Sequence, residues 1–309
     1  MAVLRVERAT RFLILRRIAC LILFLADLVF ATPTPSSFQR VLTRKWNANS
    51  IAQVQLSQGT MALTLIFGAV SFRPHSDPAD DILQVTEFLI ALPVLLLSMV
   101  AHEYAHGYAA LRQGDPTALR LGRLTLNPLK HIDPWMTILL PALLWFGSHG
   151  SFVFGGAKPV PVDPRNYRSY RRGEIIVSSA GIVTNLCLFV ICIILAVCLG
   201  TAGNAVPAAR GGFALLQRMT FWGIWLNALL AFFNLIPIPP LDGSHLLFHL
   251  LPPEIGTRYR ALSRYGFLIL LALLIFFPTV LGILLLPALA LTRLGFGLAA
   301  PFALQALPF

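Results

Sequence analysis

The sequence predicts an all-α integral membrane protein: a multi-pass helical bundle with a re-entrant or β-like membrane dip between its first and second core helices. Three observations lead there. Hydrophobic residues fill 57% of the 309 positions and charged residues only 12%, against roughly a quarter charged in soluble domains. Several apolar stretches approach the roughly 20 residues needed to span a bilayer. The basic residues gather in the loops between those stretches, at 112–130, 158–172 and 258–264.

The net charge of +11 does not point to nucleic acid, because no aromatic-plus-basic patch accompanies it. In a chain this apolar, Lys and Arg in short loops mark the cytoplasmic side. The expected partner is the lipid bilayer, in the cell (plasma or inner) membrane, and no nucleic acid. Cys20, Cys187, Cys192 and Cys198 all lie in apolar runs without a C-x-x-C pair. They read as buried small hydrophobes, with no disulfide framework and no thiolate metal site.

Residues 1–31 look like a signal peptide or signal anchor. Arg5, Arg8, Arg11, Arg16 and Arg17 flank the apolar run "IACLILFLADLVFA", and "TPTPSS" closes it. A start at Met61 is an alternative. Residues 32–80 mix Pro, Ser and charge and read as linker, and the core occupies 81–309.

The first core helix is expected over about 82–112. A short apolar piece follows at 135–147, interrupted by Pro141. If the three basic loops share one side, this piece cannot cross and must dip in and return, which is tolerated where protein or a cavity covers the backbone. A second helix is expected over 175–199 and a third over 219–235. A last apolar stretch covers 267–291, with Pro278 and Pro287 inside it.

The chemistry lies in "SMVAHEYAHGYAALRQGD", residues 98–115. On a helix His102 and His106 differ by about 40° in direction and about 6 Å in height, so they can share one ion. Glu103 stands about 100° round the same helix and can reach a water on that ion. H-E-x-x-H is the zinc metalloprotease pattern, with two histidine ligands and a glutamate general base. Each ionisable group at bilayer depth costs about 2.5–3.5 kcal/mol on insertion scales, a cost that a bound divalent ion offsets.

A catalytic zinc needs a third protein ligand and an open position. The best candidate is Asp242 in "PIPPLDG", where Pro237, Pro239 and Pro240 break the third helix and can aim a carboxylate into the bundle. His245 and His249 are rivals, read as surface residues of a short helix.

HEYAH at 102–106 and "NLIPIPPLDG" at 234–243 together resemble the site-2 protease family of intramembrane zinc metalloproteases. "LGRLTLNPLKHIDP" at 121–134 and "GGAKPVPVDPRNYRSYRRGE" at 155–174 resemble its short bacterial-type branch, which has no PDZ domain. The resemblance covers about 81–290. It implies one zinc per chain, inside the membrane near the cytoplasmic face, held by His102, His106 and Asp242, with Glu103 as base. The substrate it implies is a transmembrane protein segment. The family usually carries G-P-x-x-N in the intervening helix. Here "AGIVTN" keeps Gly181 and Asn185, but Ile182 replaces the proline. Asn185 is thereby expected to donate to substrate or to a developing oxyanion. The alternative reading is a membrane protein that handles metal or binds helices without hydrolysis.

Overall fold

The computed structural model describes residues 78–139, 141–143 and 156–305. The signal-like segment 1–31, nearly all of the linker 32–80 and the middle of the dip, 144–155, lie outside the described residues. Regular structure among the described residues is entirely helical.

Helix α1 spans Pro78–Gln113 and continues through Pro93. Helices α2, Tyr170–Ala205, and α3, Arg210–Leu235, both begin earlier than their apolar cores. Their N-terminal segments, "YRRGE" and "RGGFALLQR", lie before the starts expected at 175 and 219, where the apolar pattern alone gives little preference for helix. Tertiary partners hold them: Arg171 Nη2 donates to the His249 carbonyl at 3.0 Å. Gln217 Nε2 donates to the carbonyls of Ala196 and Phe302 at 2.8 and 2.9 Å, and its oxygen accepts the Leu304 N–H. Gln217 thus joins α2, α3 and the C-terminal segment.

By length and apolarity, 85–113 of α1 and the whole of α2 can cross a membrane. Helix α3 packs against α1 and α2 and carries polar groups that those neighbours satisfy. Arg218 pairs with Glu87 of α1, which also accepts the Trp222 indole N–H at 2.8 Å. Asn227 donates to Ser98 at 3.0 Å. Interhelical bonds of this kind contribute about 0.6–2 kcal/mol each where no water competes.

Helix α3 stops at Leu235. The proline-rich turn 236–241 follows, then α4, Asp242–Phe248, and α5, Pro253–Ala261. The last apolar stretch is three helices: α6, Gly266–Phe276; α7, Pro278–Leu284; and α8, Leu286–Ala299. Pro278 and Pro287 each sit in a first turn, where a missing N–H is no loss. The α7–α8 pair bends by 54° and counts as a third span if taken together.

The C-terminal end of α1 and the N-terminal end of α2 lie side by side, since the Arg168 N–H donates to the Gln113 carbonyl at 2.8 Å. Residues 114–169 therefore leave and return at one end of the bundle, as the predicted dip requires. The arms of the dip are tied where the Lys158 N–H meets the His131 carbonyl at 2.8 Å and the Thr137 hydroxyl donates to the Gly156 carbonyl. Between these ties, Pro134–Leu139 forms a π-helical turn. The cysteines depart from expectation: on α2, Cys187 and Cys198 are exposed and Cys192 is half-buried. A helix with a lipid-facing surface places small apolar residues outward as readily as inward.

Candidate metal centre

His102 and His106 lie one turn apart on α1, with ring centroids 4.6 Å apart and the two Nε2 atoms at 3.0 Å. Asp242 opens α4, directly after the proline turn, and its Oδ2 lies 3.2 Å from each Nε2. The three ligand atoms all fall within 4.8 Å of one another, the one such grouping among the described residues. The side chains are only 10, 12 and 18% exposed.

The second nitrogen of each ring fixes the proton positions. His106 Nδ1 lies 2.7 Å from the Val177 carbonyl, which can only accept. His102 Nδ1 lies 2.9 Å from Asn185 Oδ1, also an acceptor. In neutral rings both protons are thus on Nδ1, and both Nε2 atoms present lone pairs. Asp242 Oδ2 is buried without a hydrogen-bond donor. With both rings neutral, three lone pairs converge at 3.0–3.2 Å, an arrangement that a bound cation relieves. Two imidazole nitrogens and one carboxylate oxygen form a donor set that suits zinc, and bonds from Nδ1 to oxygen acceptors are the usual way such rings are oriented.

Helix α2 supplies the wall. A Cβ on Gly181 would lie 2.5–2.6 Å from His102 Cε1 and Nε2 and from His106 Nε2. Only glycine lets the backbone of α2 approach the two rings this closely. Gly243 plays a similar part in the turn, where a Cβ would lie 2.1 Å from the Leu235 carbonyl oxygen.

Glu103 points elsewhere on α1. Its Oε2 accepts the Val160 N–H at 2.8 Å from the segment 156–163. That segment is anchored at its far end by Asp115, which is fully buried just beyond α1. Asp115 accepts from the Asp163 N–H at 2.7 Å, from the Asn166 amide at 2.9 Å, and from the backbone and hydroxyl of Thr117. Burial opposes ionisation of this carboxyl, but the four donors outweigh it and hold its pKa below the usual carboxylate range.

The structure thus brings His102, His106 and Asp242 together and sets Glu103 on the same helix turn. Asn185 is fully buried beside His102. Its oxygen is engaged there and its Nδ2 has no partner. The rivals His245 and His249 are turned away from this centre toward Glu174, at 3.0 and 2.7 Å. His249 is not a surface residue, since its side chain is 5% exposed. Sequence reasoning missed Val160, Asp115 and Glu174. The acids were visible in "QGDP" and "RRGE", but apart from Thr117 the partners named here lie 48–86 positions away.

Residues 205–277, which carry Asp242 and the proline turn, match peptidase family M50. A provisionally named zinc metalloprotease of Bacillus subtilis, YwhC, is 42% identical over 188 residues, covering 61% of this chain and 80% of its own. Two provisionally named zinc metalloproteases called Rip2 are also similar. The one from Mycolicibacterium smegmatis is 32% identical, over 70% of this chain and 77% of its own. The one from Mycobacterium tuberculosis strain H37Rv is 30% identical, over 72% and 80%. No solved structure matches the chain significantly. The shared length, and the proline turn and Asp242 inside the family match, make this chain a member of peptidase family M50, the site-2 protease type of membrane metallopeptidase.

Proposed function

We propose that this membrane zinc metallopeptidase is an intramembrane endopeptidase that cleaves transmembrane segments of other membrane proteins, in regulated intramembrane proteolysis. The observation that carries the proposal is the convergence of His102 Nε2, His106 Nε2 and the buried Asp242 Oδ2, with both histidines on a helix that can cross a membrane. His102 Nε2, His106 Nε2 and Asp242 Oδ2 are the proposed ligands. Bound zinc supplies Lewis-acid activation of water, lowering its pKa toward about 7.

The chain's own groups do the rest. Glu103 is the base: the Val160 N–H holds Oε2, which leaves Oε1 to take the proton from the attacking water and pass it to the leaving nitrogen. Asn185 orients His102 through Oδ1 and keeps Nδ2 free to donate to the substrate carbonyl. A substrate helix hides its carbonyls in backbone bonds, so it must unwind locally before attack. The three basic segments meet at one end of the bundle, where Arg123 bonds the Lys158 carbonyl and Arg260 bonds Glu174. That clustering supports a cytoplasmic location for this end, in the plasma or inner membrane.

Metal analysis of the purified chain tests the proposal. About one zinc per chain is expected, and almost none in the double variant His102→Ala/His106→Ala. Stoichiometric zinc in the double variant overturns the ligand assignment.

A further inference from the structure

Glu174 lies on α2, one turn before the Val177 carbonyl that holds His106, and is 4% exposed. Its two oxygens serve three cationic or potentially cationic partners. Oε1 meets His245 Nδ1 at 3.0 Å and Arg260 Nη2 at 2.9 Å, and Oε2 meets His249 Nε2 at 2.7 Å. A buried carboxylate needs such pairing. What is unusual is the origin of the partners. His245 and His249 belong to α4 and its C-terminal cap, and Arg260 to α5, so all three come from the unit that begins at Asp242.

Helix α4 is only seven residues long and follows a proline turn. One end carries Asp242 into the metal centre, and the other is pinned on Glu174. The pinning helix is the one that contacts both imidazoles. Glu174, Val177, Gly181 and Asn185 advance along α2 in steps of 3, 4 and 4, which is one helical face. That face grips α4, then His106, then clears space for both rings, then holds His102.

We infer that Glu174 is a positioning residue: by gripping His245, His249 and Arg260 it fixes α4 on α2 and so holds Asp242 at the metal centre. This inference rests on the metallopeptidase reading above. The cluster is not itself a second metal centre, because the Arg260 guanidinium shares Oε1 with His245 and puts a fixed positive charge where an ion would sit.

Cobalt(II) binding to the full-length chain in detergent tests the inference without a protease assay. Affinity is read by competition with a chelator, and ligand geometry by the visible d–d spectrum. The wild type is expected to bind about one cobalt. Glu174→Ala is expected to bind it about 10–100-fold more weakly, as loss of an outer-shell support does, with an altered spectrum. Glu174→Gln keeps an acceptor oxygen and is expected to recover part of the affinity. If Glu174→Ala does not accumulate, His245→Ala/His249→Ala carries the same test, because Arg260 still neutralises the carboxylate. Variants with wild-type affinity and spectrum but a lowered Tm overturn the inference, since the cluster then stabilises the fold alone. A wild-type chain that takes up no cobalt defeats the metal reading itself, a result distinct from variants that match wild type.

Discussion

The Val160 amide donates to Glu103 Oε2 at 2.8 Å, joining the H-E-x-x-H helix to the returning arm of the dip. Val160 stands between Pro159 and Pro161, neither of which has an N–H. The arm therefore offers a single donor at that point, and it is spent on the glutamate. The side chain of Val160 packs so closely on α1 that a Cβ on Gly107 would lie 2.8 Å from it. Glu103 is held by a backbone group that is itself held by packing.

Val160→Pro removes that donor and keeps the bulk. A hydrogen bond to a charged group contributes about 1.5–3 kcal/mol, so cleavage should fall about 10–100-fold. Zinc content should not change. Equal turnover of variant and wild type on a membrane-protein substrate would show that Glu103 works without this anchor.

Gly181→Ala puts a methyl group 2.5–2.6 Å from ring atoms of His102 and His106. The rings must then move, and zinc measured by mass spectrometry of the purified variant should drop below about a tenth of wild type, the scale expected when a ligand shell is disturbed. Retained zinc would mean that α2 can shift away from α1.

Asp115 gives a pH signature outside the membrane spans. Its folded pKa is depressed, so its contribution to stability is complete above the unfolded value of about 3.9. The contribution is lost as pH falls through the folded value. Asp115→Asn should lower Tm at neutral pH, and the gap from wild type should narrow as pH drops below about 4. A gap that widens toward acid, followed by intrinsic fluorescence, would contradict the assignment.

Topology is open to cysteine labelling in sealed cells. Asn204→Cys lies at the exposed end of α2 opposite the basic cluster and should label from outside. Arg168→Cys and Arg260→Cys should not. Outside labelling at Arg168 would mean that 135–147 crosses the membrane.

Much of this was legible in the sequence because it is local. The spacing of His102 and His106 needs only a helix, and Pro237, Pro239 and Pro240 end α3 wherever it packs. Asp242 could be named because the turn left it at the start of α4. The face of α2 that meets the two rings was legible only in part: Gly181 and Asn185 stood out through the family resemblance, but what they touch did not. Gly181 matters through two rings 75 or more positions away, and a backbone amide such as that of Val160 has no signature at all. His245 and His249 looked like a surface pair because Glu174 and Arg260, which give them a purpose, are brought in only by the fold.

Hydrolysis by Glu103 inside the membrane is tested most directly by quantitative proteomics of membrane fragments, comparing cells with wild type and with Glu103→Gln. The variant keeps His102, His106 and Asp242, so it should still bind zinc. The expected result is a set of fragments ending within transmembrane segments that is present with wild type and absent with Glu103→Gln. Identical fragments in both, with zinc bound in both, would contradict it.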